Sequence, residues 1–532
     1  MSDEVGEESQ ARACARDDRY DRATGADAHT IARERLRGLA LAFAGVLAYV
    51  CIHAGFRMLA SSTLGEDDTL DQILAQELHA GYFPRQPPLY DWVLYGVQQL
   101  TGPQLISFLF IKYAALTATV VFLYLSAYRI LKDRIWALVT VESLALIYQI
   151  AWRYHEGFTH EVLAMVAVTA TLWALLRLYD HGRARDYVVF GVISGLGMLT
   201  EPNYTVYQMC LWTAVAMQPA LRRALVKPML VVAAGLAVAI ASPFIVWVVS
   251  DPAHLNYFFL PSTRGHLHDA LIGVKDGVRG PFMYLAPLIV IVPAVFPGYL
   301  ARAWADVRDV FARACQDGPA DLQRLVLTTM LAGIGLSILG GLVFGIGNYA
   351  MHVLMPLYVT SVIWIMSVAQ RSVRAGQRRP VLVRVALGIA VLALVVRLAN
   401  MFIHDPVCGK CRWGIPYATL AQSLRADGFD DAGTITVADD EIGGNLRPYF
   451  PQARFVLVGP RSFTPQRPEV AGAAQAFVWG AAVPLSTVER NFAGYPKAVQ
   501  ALAQAKVLKA PWTHIWKQDG YRTSDWAYVI LK

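Results

Sequence analysis

Apolar runs of about twenty residues recur down the chain, separated by short polar segments. A helix of that length crosses a hydrocarbon core of about 30 Å. The pattern predicts eleven spans. The first two run from about Gly38 to Ala60 and from Gln104 to Tyr128, and the third ends near Trp152. The fourth and fifth run to Arg177 and Thr200, and Glu201-Pro202-Asn203 turns into the sixth. The seventh, eighth and ninth end near Ser250, Leu300 and Gly347, the tenth starts near Tyr349, and the eleventh covers 381–403. The basic clusters at Arg33–Arg37, Arg129–Arg134, Arg183–Arg185, Arg222–Lys227, Arg302–Arg324 and Arg371–Arg384 then all fall on one side. That is the positive-inside pattern, with the N-terminus inside and residues beyond 403 outside.

From His404 the pattern changes to that of a small α/β domain of about 130 residues. Tyr417 to Leu424 reads as a helix, and Thr434–Ala438, Phe455–Val458, Ala476–Trp479 and Trp526–Leu531 read as strands. Helical material falls between them, notably Lys497 to Leu508. Residues 1–32 are polar, without the apolar core of a cleavable signal, and read as a disordered cytoplasmic tail. The expected layout is therefore a mainly α membrane domain over 33–403, with outer loops at 61–103 and 251–280, followed by an extracytoplasmic α/β domain over 404–532.

A mean hydropathy of +0.39 and 16% charged residues exclude an ordinary soluble protein. The net charge of +7 does not point to nucleic acid, because its basic residues sit between apolar runs. No internal repeat or nucleotide-binding glycine loop stands out. Of six cysteines, only Cys408 and Cys411 fall on the outer side. There a disulfide closing a tight turn is favoured over a redox or zinc site, since no second CxxC completes a four-cysteine set.

The chemistry concentrates in the first outer loop, Gly65-Glu66-Asp67-Asp68-Thr69-Leu70-Asp71 and onward to Pro87-Pro88-Leu89. Leu70, Ile73, Leu74 and Leu78 carry helical spacing, so a short amphipathic helix is expected, ended by Gly81. Asp67 and Asp71 share a face of it. Pro87-Pro88 opens a second helix whose Tyr90, Trp92 and Tyr95 suit the headgroup level. A solvated acidic loop is the plainer reading of the same residues.

Asp67-Asp68, then Gly81-Tyr82-Phe83, then Pro87-Pro88-Leu89 resembles the first extracytoplasmic loop of bacterial family 39 glycosyltransferases of the multi-span GT-C class. Relatives there include aminoarabinose and galacturonosyl transferases of lipid A and core, and protein O-mannosyltransferases. The likeness covers roughly the first 400 residues in layout and is sharp only in this loop. It implies transfer of a sugar from a polyprenyl phosphate to lipid A, core or another envelope glycan, at the periplasmic face of the inner membrane. Such a transfer needs a carboxylate base, a clamp for the leaving phosphate and a hydrophobic groove for the lipid.

By the same resemblance Asp67 is the general base of a single inverting displacement, and Asp68 orients it or binds the acceptor. Asp67 could instead merely start a helix. Asp71 has no counterpart in the family pattern. His160 and Glu161 stand where relatives carry an acidic residue, which in some members acts through a divalent ion. The spacing of His155, Glu156, His160 and Glu161 could ligate such a metal, or form a hydrogen-bonded helix start. Gln86 and Glu201 occupy positions that are basic in many relatives, and Arg85 lies one residue from the first. Tyr82, Arg85, Gln86 and His160 are therefore substrate-binding candidates. Arg264 and His352 are candidates for the phosphate clamp, with Tyr349 in the polar stretch before Pro356. His352 could equally be a satisfied helix-start histidine. A multi-span lipid or sugar transporter is the rival reading. It calls for charges buried at midspan or inverted repeats, and neither is evident. An envelope scaffold or polymer ligase is a second rival.

Overall fold

A computed structural model describes residues 25–258, 266–344, 354–404, 408, 411–514, 516–517 and 520–532. Arg264, Tyr349 and His352 lie outside the described residues. Every predicted apolar stretch is helical in whole or in part among those described. Six helices there are long and apolar enough to cross a membrane. They include α1 (Gly25–Ala60), α4 (Leu105–Leu131), α5 (His160–His181) and α6 (Ala375–Ala399), labelled here in chain order with α2 (Asp67–Leu74), α3 (Leu89–Thr101) and α7 (Asp440–Leu446). Met229–Ser250 and Leu322–Phe344 are the other two.

The remaining stretches depart from simple spans, for local reasons. The third is broken at Ile147, whose extended backbone lets Tyr148 N donate to Ala286 O at 3.1 Å. Ala184–Met198 and Pro202–Ala216 have 15 residues each, about 22 Å of helix. Leu288–Val295 and Tyr299–Ala312 meet at 114°. Pro297 and Gly298, the latter at φ 74°, make that turn, and the segment expected as a loop from Arg302 is helical. Helices α4 and α5 form the buried centre, whereas α1, Met229–Ser250 and α6 leave most of their apolar surface open, as lipid-facing helices do.

The C-terminal region forms one five-stranded sheet in the order β2-β1-β3-β5-β4. β1 (Thr434–Val437) pairs in parallel with β2 (Arg454–Leu457) and β3 (Gln475–Gly480). β5 (Thr523–Leu531) runs antiparallel to β3 and to β4 (Lys506–Pro511). β4 corrects the helix expected up to Leu508, which ends at Gln504. It is an edge strand, largely exposed, so no apolar alternation marks it in the sequence.

This sheet domain sits directly on the acidic loop. Leu70, Ile73 and Leu74 of α2 share a core with Leu420, Leu446 and Phe455, and full burial contributes on the order of 1.5–3 kcal/mol per side chain. Gly443 and Gly444 of α7 permit the approach, since a Cβ on Gly444 would lie 2.3 Å from Thr69 O. Asn445 Oδ1 accepts from Leu64 N at 2.7 Å. Arg447 donates to Gln98 Oε1 at 2.8 Å, to Ala75 O at 3.3 Å and to Gln72 O. The loop is thus neither solvated nor amphipathic in use. α2 ends at Leu74 rather than Gly81, and Tyr90 is fully buried rather than at a headgroup surface.

Candidate active site

The site lies where α2, α3 and α5 meet, at the end of the helix bundle that carries the sheet. Asp67 and Asp68 open the first turn of α2, where unpaired backbone N–H groups favour negative charge. Asp67 stays half-exposed, whereas Asp68 and Asp71 turn inward. Burial raises the Asp67 carboxyl to about 7, and the charges of Glu161, Asp71 and Asp68 add to that rise against an opposing pull from His160. A carboxylate tuned near neutrality beside a partly open surface can accept a proton from a bound hydroxyl.

On one side of Asp67 the side chains are acidic. Glu161 and Glu201 are buried there, with Glu161 Oε2 accepting from Thr159 N at 3.3 Å. Glu201, at the start of Pro202–Ala216, is held well above the usual carboxylate range by burial first and Glu161 second. It therefore joins the acidic group and cannot supply the basic residue that the family pattern places there. Asp71, Asp91 and His160 come together deeper in the same side. Burial, reinforced by Asp71, raises Asp91 well above its ordinary value.

On the other side the side chains are cationic. Lys112 Nζ, 1% exposed within α4, lies 3.4 Å from Asp68 Oδ1 and also donates to Glu156 O. Asp68 is raised by burial to about 6, and Lys112, Arg412 and Arg57 pull against that rise. Arg57 donates to Ser61 O and Thr63 O while lying 4.7 Å over Trp413. Arg397 donates to His155 O at 2.9 Å and is near enough to Arg57 and Lys112 for their charges to interact. Cys408 and Cys411 are bonded to each other, and the next residue, Arg412, packs its guanidinium on Gly65.

Beyond this group an apolar cavity of about 390 Å³ opens between α1, α4, the broken segment before Ala151, and α6. Tyr49, Leu116 and Ala390 line it. Arg57, Lys112 and Arg397 lie on the same three helices as those residues, between one and a little over two turns nearer the sheet-bearing end. An apolar slot with cations beyond its end on the same helices suits a lipid with an anionic head.

Other expected residues have different employment. His155 bonds Tyr49 OH at 2.7 Å and Tyr113 OH at 3.1 Å and stacks on His53, and Glu156 pairs with Arg153 at 2.7 Å. The metal set suggested by the spacing of His155, Glu156, His160 and Glu161 is thus pulled apart. Tyr82 donates to Glu77 O at 2.5 Å and packs towards Phe463 of the sheet domain, so its hydroxyl is committed within the loop. Arg85 is exposed, and Gln86 N bonds Phe83 O at 3.0 Å to close the turn. Sequence reasoning missed Asp91, Arg57, Lys112, Arg397 and Arg412. Lysine and arginine within apolar runs were the available signal, because such charges are costly unless they serve a site.

Residues 85–247 match the family model described as dolichyl-phosphate-mannose-protein mannosyltransferase. Among curated proteins, the chain is 25% identical over 423 residues to the lipopolysaccharide core galacturonosyltransferase RgtA of Rhizobium johnstonii, covering 78% of this chain and 82% of that protein. Identity to RgtB of the same organism, of the same description, is 25% over 444 residues, covering 81% and 85%. Among solved structures, ArnT from Cupriavidus metallidurans bound to undecaprenyl phosphate superposes with a TM-score of 0.56 at 12% identity, over 91% of this chain and 98% of that one. Its apo form matches equally, at 0.56. Sequence likeness, fold and loop motif point the same way: this chain is similar over most of its length to lipopolysaccharide core glycosyltransferases, and it shares the multi-span fold of ArnT.

Proposed function

We propose that the enzyme moves a sugar from a polyprenyl-phosphate donor to a glycan or glycolipid acceptor of the cell envelope, on the periplasmic face of the inner membrane. The observation that carries this reading is the placement of Asp67 between an acidic cluster and a group of cations, with an apolar cavity on the same helices as three of those cations. The start of the lipid chain occupies the cavity. The donor phosphate lies against Arg57, Lys112, Arg397 and Arg412, where charge-assisted hydrogen bonds stabilise it as it leaves. Asp67 takes the proton of the acceptor hydroxyl while that oxygen attacks the anomeric carbon from the face opposite the phosphate. The bond to the phosphate oxygen breaks with inversion, and the electron pair leaves on the phosphate. Asp68, held by Lys112, links the base to the phosphate side. The curated relatives favour a uronic acid as the sugar and lipopolysaccharide core as the acceptor.

The test is transfer in proteoliposomes with a polyprenyl-phosphate uronic acid and purified core oligosaccharide. Asp67→Asn keeps the shape of the side chain and removes its basicity, so the transfer rate should fall by about 10²–10⁴-fold. Donor binding and the melting temperature should stay near those of the unaltered enzyme. An undiminished rate in Asp67→Asn would reassign the base. Undiminished transfer in both Asp67→Asn and Arg57→Ala would remove this account of the site.

A further inference from the structure

The acidic side of the site contains a group of atoms that the transfer reaction does not use. Asp71 of α2, Asp91 of α3 and His160 of α5 each bring one possible donor atom into a group, all three atoms within 4.8 Å of one another. His160 Nε2 stands 3.7 Å from Asp71 Oδ1 and 3.9 Å from Asp91 Oδ2. These separations are too long for hydrogen bonds. Both oxygens of each carboxylate and both nitrogens of the ring are buried without a hydrogen-bond partner. Asp71 and Asp91 are 0% exposed and His160 is 3% exposed. Six buried atoms without hydrogen-bond partners, on three elements far apart in sequence, carry a large desolvation cost, which the attraction of a protonated His160 to the two carboxylates offsets only in part.

We propose that Asp71, Asp91 and His160 bind a first-row divalent cation. Metal–nitrogen and metal–oxygen distances of about 2.0–2.2 Å put neighbouring ligand atoms roughly 3.3–3.6 Å apart in tetrahedral geometry. The two separations from His160 then need a contraction of a few tenths of an ångström, and the Asp71–Asp91 pair, within 4.8 Å, one of up to about 1.5 Å, which side-chain rotation supplies. One imidazole with two carboxylates suits Zn²⁺, Mn²⁺ or Fe²⁺ better than Ca²⁺, which prefers six to eight oxygens. The ion would tie α2, which carries Asp67, to α3 and α5. It acts as a clasp that holds the base, with no bond to the substrate required. An imidazolium held between two carboxylates is the competing arrangement, and it predicts no affinity for metal.

The experiment uses the full chain in lipid nanodiscs. Metal content is measured by elemental analysis after purification without chelator, and Mn²⁺ is titrated with electron paramagnetic resonance as the readout, with Zn²⁺ as competitor. One ion per chain is expected. Asp71→Asn and Asp91→Asn, nearly isosteric, should each weaken Mn²⁺ binding by at least about tenfold, whereas Glu156→Gln, outside the cluster, should not. Chelator should lower the melting temperature of the unaltered chain and leave that of Asp91→Asn unmoved. If either asparagine variant does not fold, His160→Gln supplies the same comparison. Binding of neither ion up to millimolar concentration would overturn the proposal, as would equal binding by the unaltered chain and every ligand variant.

Discussion

The two flanks of Asp67 are built from the same kind of material, buried ionisable side chains, yet they solve opposite problems. The acidic flank gathers Asp71, Asp91, His160, Glu161 and Glu201, and its carboxylates add to the effect of burial in raising the Asp67 carboxyl to about 7. The cationic flank gathers Arg57, Lys112, Arg397 and Arg412, which hold Asp68 lower than burial alone would leave it. In the proposed reaction one flank tunes the base and the other receives the leaving anion. The lesson is that two adjacent aspartates acquire different chemistry from their neighbours rather than from their own sequence positions.

The sharpest way to break this comparison is to remove one flank at a time. Lys112→Met keeps the length of the side chain and deletes a cation from the phosphate side. Losing one charge-assisted contact of about 1.5–3 kcal/mol should cost about 10–100-fold in kcat/KM. Donor titration should place most of that loss in donor binding, whereas Asp67→Asn should spare binding and lower kcat. A Lys112→Met enzyme with unchanged donor affinity would remove Lys112 from the clamp. Lys112→Met should also destabilise the chain by on the order of 3–5 kcal/mol, because Asp68 loses its buried partner, and a denaturant melt reads that directly.

A smaller effect tests the interface that covers both flanks. Gly444→Ala places a methyl group against Thr69 O, and relief requires α7 to move away from α2. Overpacking of this kind costs about 1–3 kcal/mol. Faster hydrogen exchange at α2, together with reduced transfer, is the expected outcome. Unchanged exchange at α2 would show that the sheet domain does not hold the acidic helix.

The pH profile sharpens the acidic flank further. Asp67 works as a base only when ionised and its carboxyl is raised to about 7, so kcat should rise as pH increases through that region. Glu161→Gln removes the largest charge contribution to the rise, so the ascending limb should move to lower pH. Burial, the leading cause, remains and should keep the limb above the ordinary carboxylate range. A limb that moves upward in Glu161→Gln would contradict the assignment.

The smallest effect is expected at the bridge. A loop closed by cysteines three apart gains little from cross-linking on the chain-entropy account, so Cys408→Ser should barely shift the melting temperature. Arg412 follows the bridge and belongs to the cationic flank, so a modest loss of donor affinity should accompany it. Equal donor affinity with and without reductant would free Arg412 from that dependence.

The sequence by itself determined the membrane class, the helical stretches, four of the five strands and the acidic pair. Each of these is written in local periodicity, run length or a short motif, so neighbouring residues suffice to reveal it. It did not determine how many stretches are long enough to cross, because breaks such as that at Ile147 answer to distant partners such as Ala286. Nor did it show that the sheet domain buries α2, since Gly443 and Gly444 reveal their purpose only against Thr69 and Ile73. The same holds for the flanks of Asp67. Residues 57, 112, 397 and 412, and likewise 71, 91 and 160, come from separate elements, and only tertiary packing decides which of those charges meet. Burial and charge proximity are properties of the folded chain, and they are what raise the Asp67 carboxyl towards neutrality.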